Sequence, residues 1–245
     1  VRSRGLGDVY KRQARLPPVE DTVLRVGPLL DAATALCPPP STGQPAAVVS
    51  DSSVPTPRDA FVGRRAELHA LTDQLVDPQS RLVTLTGTGG SGKSRLAVEL
   101  GHRLRPRFPG GVWFIDLSEA RHLEDIWTAT ARTLGITLAG DPDARIRSAL
   151  HAREPHLLLF DNFEQLLPHA AQTVGAWLDA VPHTRALVTS RAPLQLIGEA
   201  VFPLQPLQED DAVDLFLDRA RRTRPDFVPD DDVIPCVTDL VTLLD

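Results

Sequence analysis

The chain has 245 residues, 42% of them hydrophobic, and 26 basic against 32 acidic side chains give it a net charge of −6. This length suits one α/β core plus part of a second unit. The acidic balance excludes the segment as a nucleic-acid grip, because nonspecific affinity for phosphate backbones comes from Lys and Arg. No run of 18 uncharged apolar residues marks a membrane span, and no signal-peptide order opens the chain. The expectation is a cytoplasmic protein without membrane contact. Cys37 and Cys236 are far apart and form no CxxC pair, so neither a zinc site nor a disulfide framework is expected.

In chain order, residues 1–13 (VRSRGLGDVYKRQ) resemble a translated sequencing adapter and are set aside as a non-native leader. Residues 14–57 contain PP, PPP and the stretch STGQPAAVVSDSSVPTP, which reads as a linker or the end of a lost upstream domain. A short apolar patch from Thr22 to Cys37 fits no clear period. Residues 58–207 are expected to form a nucleotide-binding domain, and residues 208–245 the start of a truncated helical domain. From Phe61 onward, short apolar runs alternate with helical patterns, which predicts a parallel sheet covered by helices on both faces. The predicted strands are Arg81 to Thr86, Gly111 to Asp116, His156 to Asp161, Arg185 to Ser190 and Ala200 to Leu204. Leu96, Ala97, Leu100, Gly101 and Leu104 mark one helix face. Phe163, Leu166, Leu167, Ala170, Ala171, Val174, Trp177, Leu178 and Val181 mark another.

Gly87, Thr88, Gly89, Gly90, Ser91, Gly92, Lys93 and Ser94 satisfy GxxxxGK[ST] at every fixed position, between a predicted strand and a predicted helix. Such a loop turns backbone N–H groups toward phosphate oxygens, and the following helix directs its positive end at the same anion. Lys93 is expected to reach the β and γ phosphates and Ser94 to ligate Mg²⁺, with Arg95 beside them. Lysine occurs only at Lys11 and Lys93 in a chain whose other cations are arginine. Lys93 stands where a compact charge on a flexible stem is needed.

The apolar run His156 to Phe160 delivers Asp161, a second candidate ligand for Mg²⁺, which prefers oxygen donors. The alternative for Asp161 is a cap on the following helix. Asn162 occupies the place where many such ATPases carry a water-polarising glutamate, and an amide cannot accept the proton, so slow hydrolysis is expected. Glu164 either takes over as base or is a first-turn glutamate favoured by the helix dipole. Thr189 and Arg191, at the end of a fourth strand, are candidates to sense the γ-phosphate, with a surface arginine as the alternative for Arg191. Arg219, Arg221, Arg222 and Arg224 read as a solvated helix end.

Together, the FVGR run from Phe61 to Arg64, TGTGGSGKS, LLLFDNFEQ, ALVTSRAPL, GEAVFPLQPL and DAVDLF resemble the STAND class of P-loop ATPases, NB-ARC-like modules of large LuxR-type and SARP-type bacterial transcription regulators. The resemblance implies an α/β three-layer P-loop NTPase sandwich with a mostly parallel sheet of order 5-1-4-3-2, followed by a helical domain. It implies that Val62 and Arg64 contact the adenine nucleotide, ATP or ADP. Arg65 stands where the family usually has an acidic residue. It further implies a nucleotide-operated switch whose parent protein self-associates and contacts DNA through domains outside this segment. A faster AAA+-like ATPase, a P-loop phosphotransferase and a nucleotide-inert scaffold are the competing readings.

Overall fold

The computed structural model describes residues 52–224, 226–229 and 233–244. The expected leader, the expected linker up to residue 51 and the apolar patch Thr22 to Cys37 lie outside the described residues. Five strands form the sheet: β1 (Leu82–Thr86), β2 (Val112–Asp116), β3 (His156–Asp161), β4 (Thr184–Ser190) and β5 (Glu199–Pro203). Their order is β2-β3-β4-β1-β5, and all four pairings are parallel. This is the expected 5-1-4-3-2 arrangement read from the other edge, and each strand lies within two residues of its sequence reading.

Alternation along the strands separates two cores. Leu157 and Leu159 of β3, Leu187 of β4 and Val83 and Leu85 of β1 face one side. There they meet Leu71 and Leu75 of α1 (Arg65–Val76) and Leu96 and Leu100 of α2 (Lys93–Leu104). Leu158, Phe160, Ala186 and Val188 face the other side. They pack with Ile126 of α3 (Leu123–Leu134), Leu150 of α4 (Pro142–His151) and Trp177 of α5 (Ala176–Ala180). A parallel sheet buried on both faces needs continuous apolar strands, which these runs supply. Beyond β5 come α6 (Glu209–Thr223) and α7 (Val233–Leu244).

Two expectations need correction. Residues 163–181 do not form one helix. Pro168 has no N–H to offer and its ring would collide with the carbonyl four residues back. The chain instead takes 3₁₀ turns at Phe163–Gln165 and Leu167–His169, a π turn at Ala171–Gly175, and only then α5. The marked apolar residues are still buried or partly buried, apart from exposed Ala171. The linker expected to run to residue 57 also ends earlier. The Ser52 hydroxyl and the Ser53 N–H donate to the Val112 carbonyl at 2.8 and 3.2 Å, the Phe114 N–H donates to Ser53 Oγ at 2.8 Å, and Val54 is buried. Edge strands require such cover, and Pro/Ser-rich composition does not reveal which residues provide it.

At the opposite end of β3 from Asp161, His156 is fully buried. Its Nδ1 lies 2.9 Å from the Glu154 carbonyl, which can only accept, so Nε2 takes the Thr184 hydroxyl at 3.0 Å. Burial, with smaller contributions from His183 and Arg153, pushes its pKa down to about 4, although the Glu154 carbonyl acts the other way. The unfolded chain therefore binds this proton first. The stability held by neutral His156 is fully present above about pH 6.5, and about 3 kcal/mol is lost as pH falls toward 4. Urea melts of the wild-type chain and His156→Gln should show a steeper loss between pH 7 and pH 5 for the wild type. Parallel slopes would contradict this assignment.

Candidate nucleotide-binding site

Ligands of parallel α/β sheets bind beyond the carboxyl ends of the strands. Here β3, β4 and β1 are neighbours, with Thr86 level with Ser190 and Phe160 level with Val188. That register brings the loop after β1, Asp161 at the end of β3 and Arg191 after β4 to one edge. Gly90 and Gly92 take φ of 83° and 90°, left-handed values that glycine adopts without strain, and Gly92 leads directly into α2. The loop closes on itself through the Ser91 hydroxyl, which donates to the Thr88 carbonyl at 3.0 Å.

Lys93 is 9% exposed, and its Nζ donates to the carbonyls of Gly87 and Thr88 at 2.9 and 2.7 Å. Burial lowers its pKa from the ordinary lysine value, opposed by the charges of Glu164 and Asp161 and assisted by Arg191. Glu164, Asp161 and Arg191 therefore all act on Lys93 across the loop.

Asp161 is 6% exposed. Its Oδ1 accepts from the Thr189 hydroxyl at 2.5 Å, and its Oδ2 faces Asn162 Nδ2 at 3.5 Å. The carboxylate makes no bond to a helix N–H, so the capping alternative is not what the fold uses. Asn162 has φ of 64°, and its N–H donates to Thr189 Oγ1 at 3.0 Å. The Thr189 hydroxyl thus sits between Asp161 and Asn162 and orients the carboxylate. Glu164 Oε1 pairs with Arg191 Nε at 3.2 Å, while Glu164 Oε2 is buried without a partner. Arg191 also leans on the loop: a Cβ on Gly89 would lie 3.5 Å from its Nη2.

Beside the loop, Phe61, Val62, Leu207 and Leu215 line a cleft of about 270 Å³ that also borders Ser91, Gly92 and Arg95. A larger space of about 540 Å³ joins Thr88, Gly89, Gly90 and Ser91 to Leu207, Leu215 and Phe216. An apolar slot next to a phosphate loop fits a base. Arg64 lines both spaces, yet its guanidinium is committed. It donates to Glu67 Oε1 at 2.9 Å, the Pro206 carbonyl at 3.3 Å and the Ser91 carbonyl at 3.2 Å. Glu67 is thus the carboxylate partner of the Arg64 guanidinium. Arg95 donates to the carbonyls of Asp59 and Ala60.

Ser94 and Asp161 offer the hard oxygen donors that Mg²⁺ accepts, and that ion is ordinarily completed by substrate phosphates and water. Among the described residues no group of three or more His, Cys, Asp or Glu could hold a metal ion. The residues present fit a magnesium nucleotide.

Two features escaped the sequence reading. Arg219 lines both spaces, although its cluster had read as a solvated face, and Asp59 pairs with both Arg219 and Arg222. The spacing of Leu215 and Arg219 by four on a helix was the available signal, since such residues share a face.

The family model for the AAA ATPase domain matches residues 60–228. The chain belongs to that family. It is 35% identical over 198 residues to an uncharacterized protein of Mycobacterium tuberculosis, covering 76% of this chain and 47% of that one. It is 31% identical over 170 residues to the regulatory protein AfsR of Streptomyces griseus, covering 64% of this chain and 17% of AfsR. The chain thus spans less than half of either relative. Among solved structures, Cdc6p from Pyrobaculum aerophilum matches with a TM-score of 0.52 and 19% identity, over 66% of this chain and 52% of that one, which bears on the fold alone. The resemblance of the motifs to the P-loop module of large bacterial regulators is borne out by AfsR. Among the described residues no helix is long and apolar enough to cross a membrane.

Proposed function

We propose that this chain is the nucleotide-operated switch of a cytoplasmic bacterial transcription regulator, binding ADP or ATP with Mg²⁺ and hydrolysing ATP slowly. The observation that carries the reading is the convergence of Lys93, the Asp161–Thr189 pair and the Glu164–Arg191 pair beside an apolar cleft. Lys93 and the loop amides hold the phosphates, with Val62 and Leu215 flanking the base. Ser94 and Asp161 hold the magnesium ion, which when bound neutralises phosphate charge. Arg191 answers a third phosphate, a role supported by its closeness to Gly89. DNA contact and nucleotide-dependent self-association belong to the parent protein.

Slow turnover follows from the groups next to Asp161. The Asn162 amide cannot accept a proton, and the Glu164 carboxylate is tied to Arg191. Steady-state hydrolysis by the parent protein should run well below the ~1–100 s⁻¹ of kinases. Asn162→Glu should raise it, whereas Glu164→Gln should lower it only if Glu164 serves as the base. Rapid turnover that survives Glu164→Gln would overturn the slow-switch reading in favour of a fast ATPase with Asn162 orienting water.

A further inference from the structure

Two arginines line both the base cleft and the space over the glycine-rich loop, Arg64 and Arg219. Arg64 is buried and committed to three acceptors. Arg219 is held differently. Among the described residues only its Nη1 is engaged, at 3.1 Å from Asp59 Oδ2 and 3.2 Å from Asp218 Oδ2, and its side chain is 39% exposed.

Arg222, one turn further along α6, already holds the same two carboxylates. Its Nη1 lies 2.6 Å from Asp59 Oδ1 and its Nε 3.0 Å from Asp218 Oδ2. The backbone of the Asp59 segment is held separately by Arg95. At the start of α6, Asp211 accepts the Arg64 N–H at 3.4 Å and leaves no room for a side chain on Gly63. The contact between α6 and residues 59–64 therefore survives without Arg219. Its guanidinium is the redundant member of the network, and it is the one that faces the ligand space with donors to spare.

We propose that Arg219 is a nucleotide-binding residue that leaves Asp59 and donates to the phosphate chain of the bound adenine nucleotide, while Arg222 keeps Asp59 tied to α6. A planar guanidinium with free N–H groups suits a phosphate oxygen better than an exposed carboxylate already shared with another arginine. The inference rests on the nucleotide reading above and deepens it: α6 carries a residue whose partner changes with occupancy.

The test is calorimetry on the 245-residue chain with ADP, and with adenosine in competition, for wild type, Arg219→Ala, Arg219→Lys and Arg222→Ala. Arg219→Ala should weaken ADP binding on the order of 10- to 100-fold, the worth of a charge-assisted hydrogen bond, and leave adenosine affinity unchanged. Arg219→Lys should recover part of the loss, and Arg222→Ala, which leaves Asp59 to Arg219 alone, should lose less ADP affinity than Arg219→Ala does. Equal ADP affinity for wild type and Arg219→Ala would overturn the proposal. So would a parallel loss of ADP and adenosine, which would mark Arg219 as a brace for the cleft. A wild-type chain that binds neither ligand would remove the nucleotide reading itself, a failure separate from the other two.

Discussion

Lys93→Ala is expected to lose ADP affinity by about 30-fold or more. Removing the buried partner of a charged group costs ~2–5 kcal/mol, most of it from leaving the other charge unmatched. In the structure the Lys93 ammonium already spans the mouth of the loop, bonded to the Gly87 and Thr88 carbonyls, and burial disfavours its charge. An incoming polyphosphate offers that charge a stronger partner than two neutral carbonyls. Calorimetric titration of the variant checks the expectation, with a cooperative thermal melt confirming that it is folded. Unchanged affinity in a folded variant would remove Lys93 from the site.

Asp161→Ala is expected to abolish most of the gain that Mg²⁺ adds to ATP binding, while changing magnesium-free binding by less than about threefold. The reason is that the carboxylate acts through the ion, and hard-cation sites of this kind draw one or two carboxylates from the protein. Thr189 holds one carboxylate oxygen at 2.5 Å, and the other meets only the Asn162 amide at 3.5 Å, so one oxygen is positioned and the other is available. Titrations with Mg²⁺ and with a chelator separate the two conditions. Equal losses in both would show that Asp161 shapes the strand end instead of holding the metal.

Much of this arrangement was legible in the residues themselves. β3 was placed to the residue because its apolar run ends sharply at Asp161, and the P-loop declared itself through fixed glycines and a single lysine. The break at Pro168 was written in the sequence, but the strong three-and-four spacing around it masked a local steric veto. The Ser52–Ser53 cover on β2 could not be read, because nothing in a Ser-rich segment says which hydroxyls meet an open strand edge. Thr189 reads from the sequence as a candidate γ-phosphate sensor, and only the β3–β4 pairing brings its hydroxyl against Asp161, a contact across 28 residues of chain. Arg219 was hidden for a similar reason: its charge looked like a response to the helix dipole, and only the fold brings Asp59 and the P-loop to the same helix face.

Whether this chain binds adenine nucleotide with Mg²⁺ is decided by titrating the wild-type chain with ADP and Mg²⁺. Saturable binding at one site per chain, weakened sharply in Lys93→Ala, is the expected result. A cooperatively folded wild-type chain that takes up no ADP or ATP, with or without Mg²⁺, would contradict it.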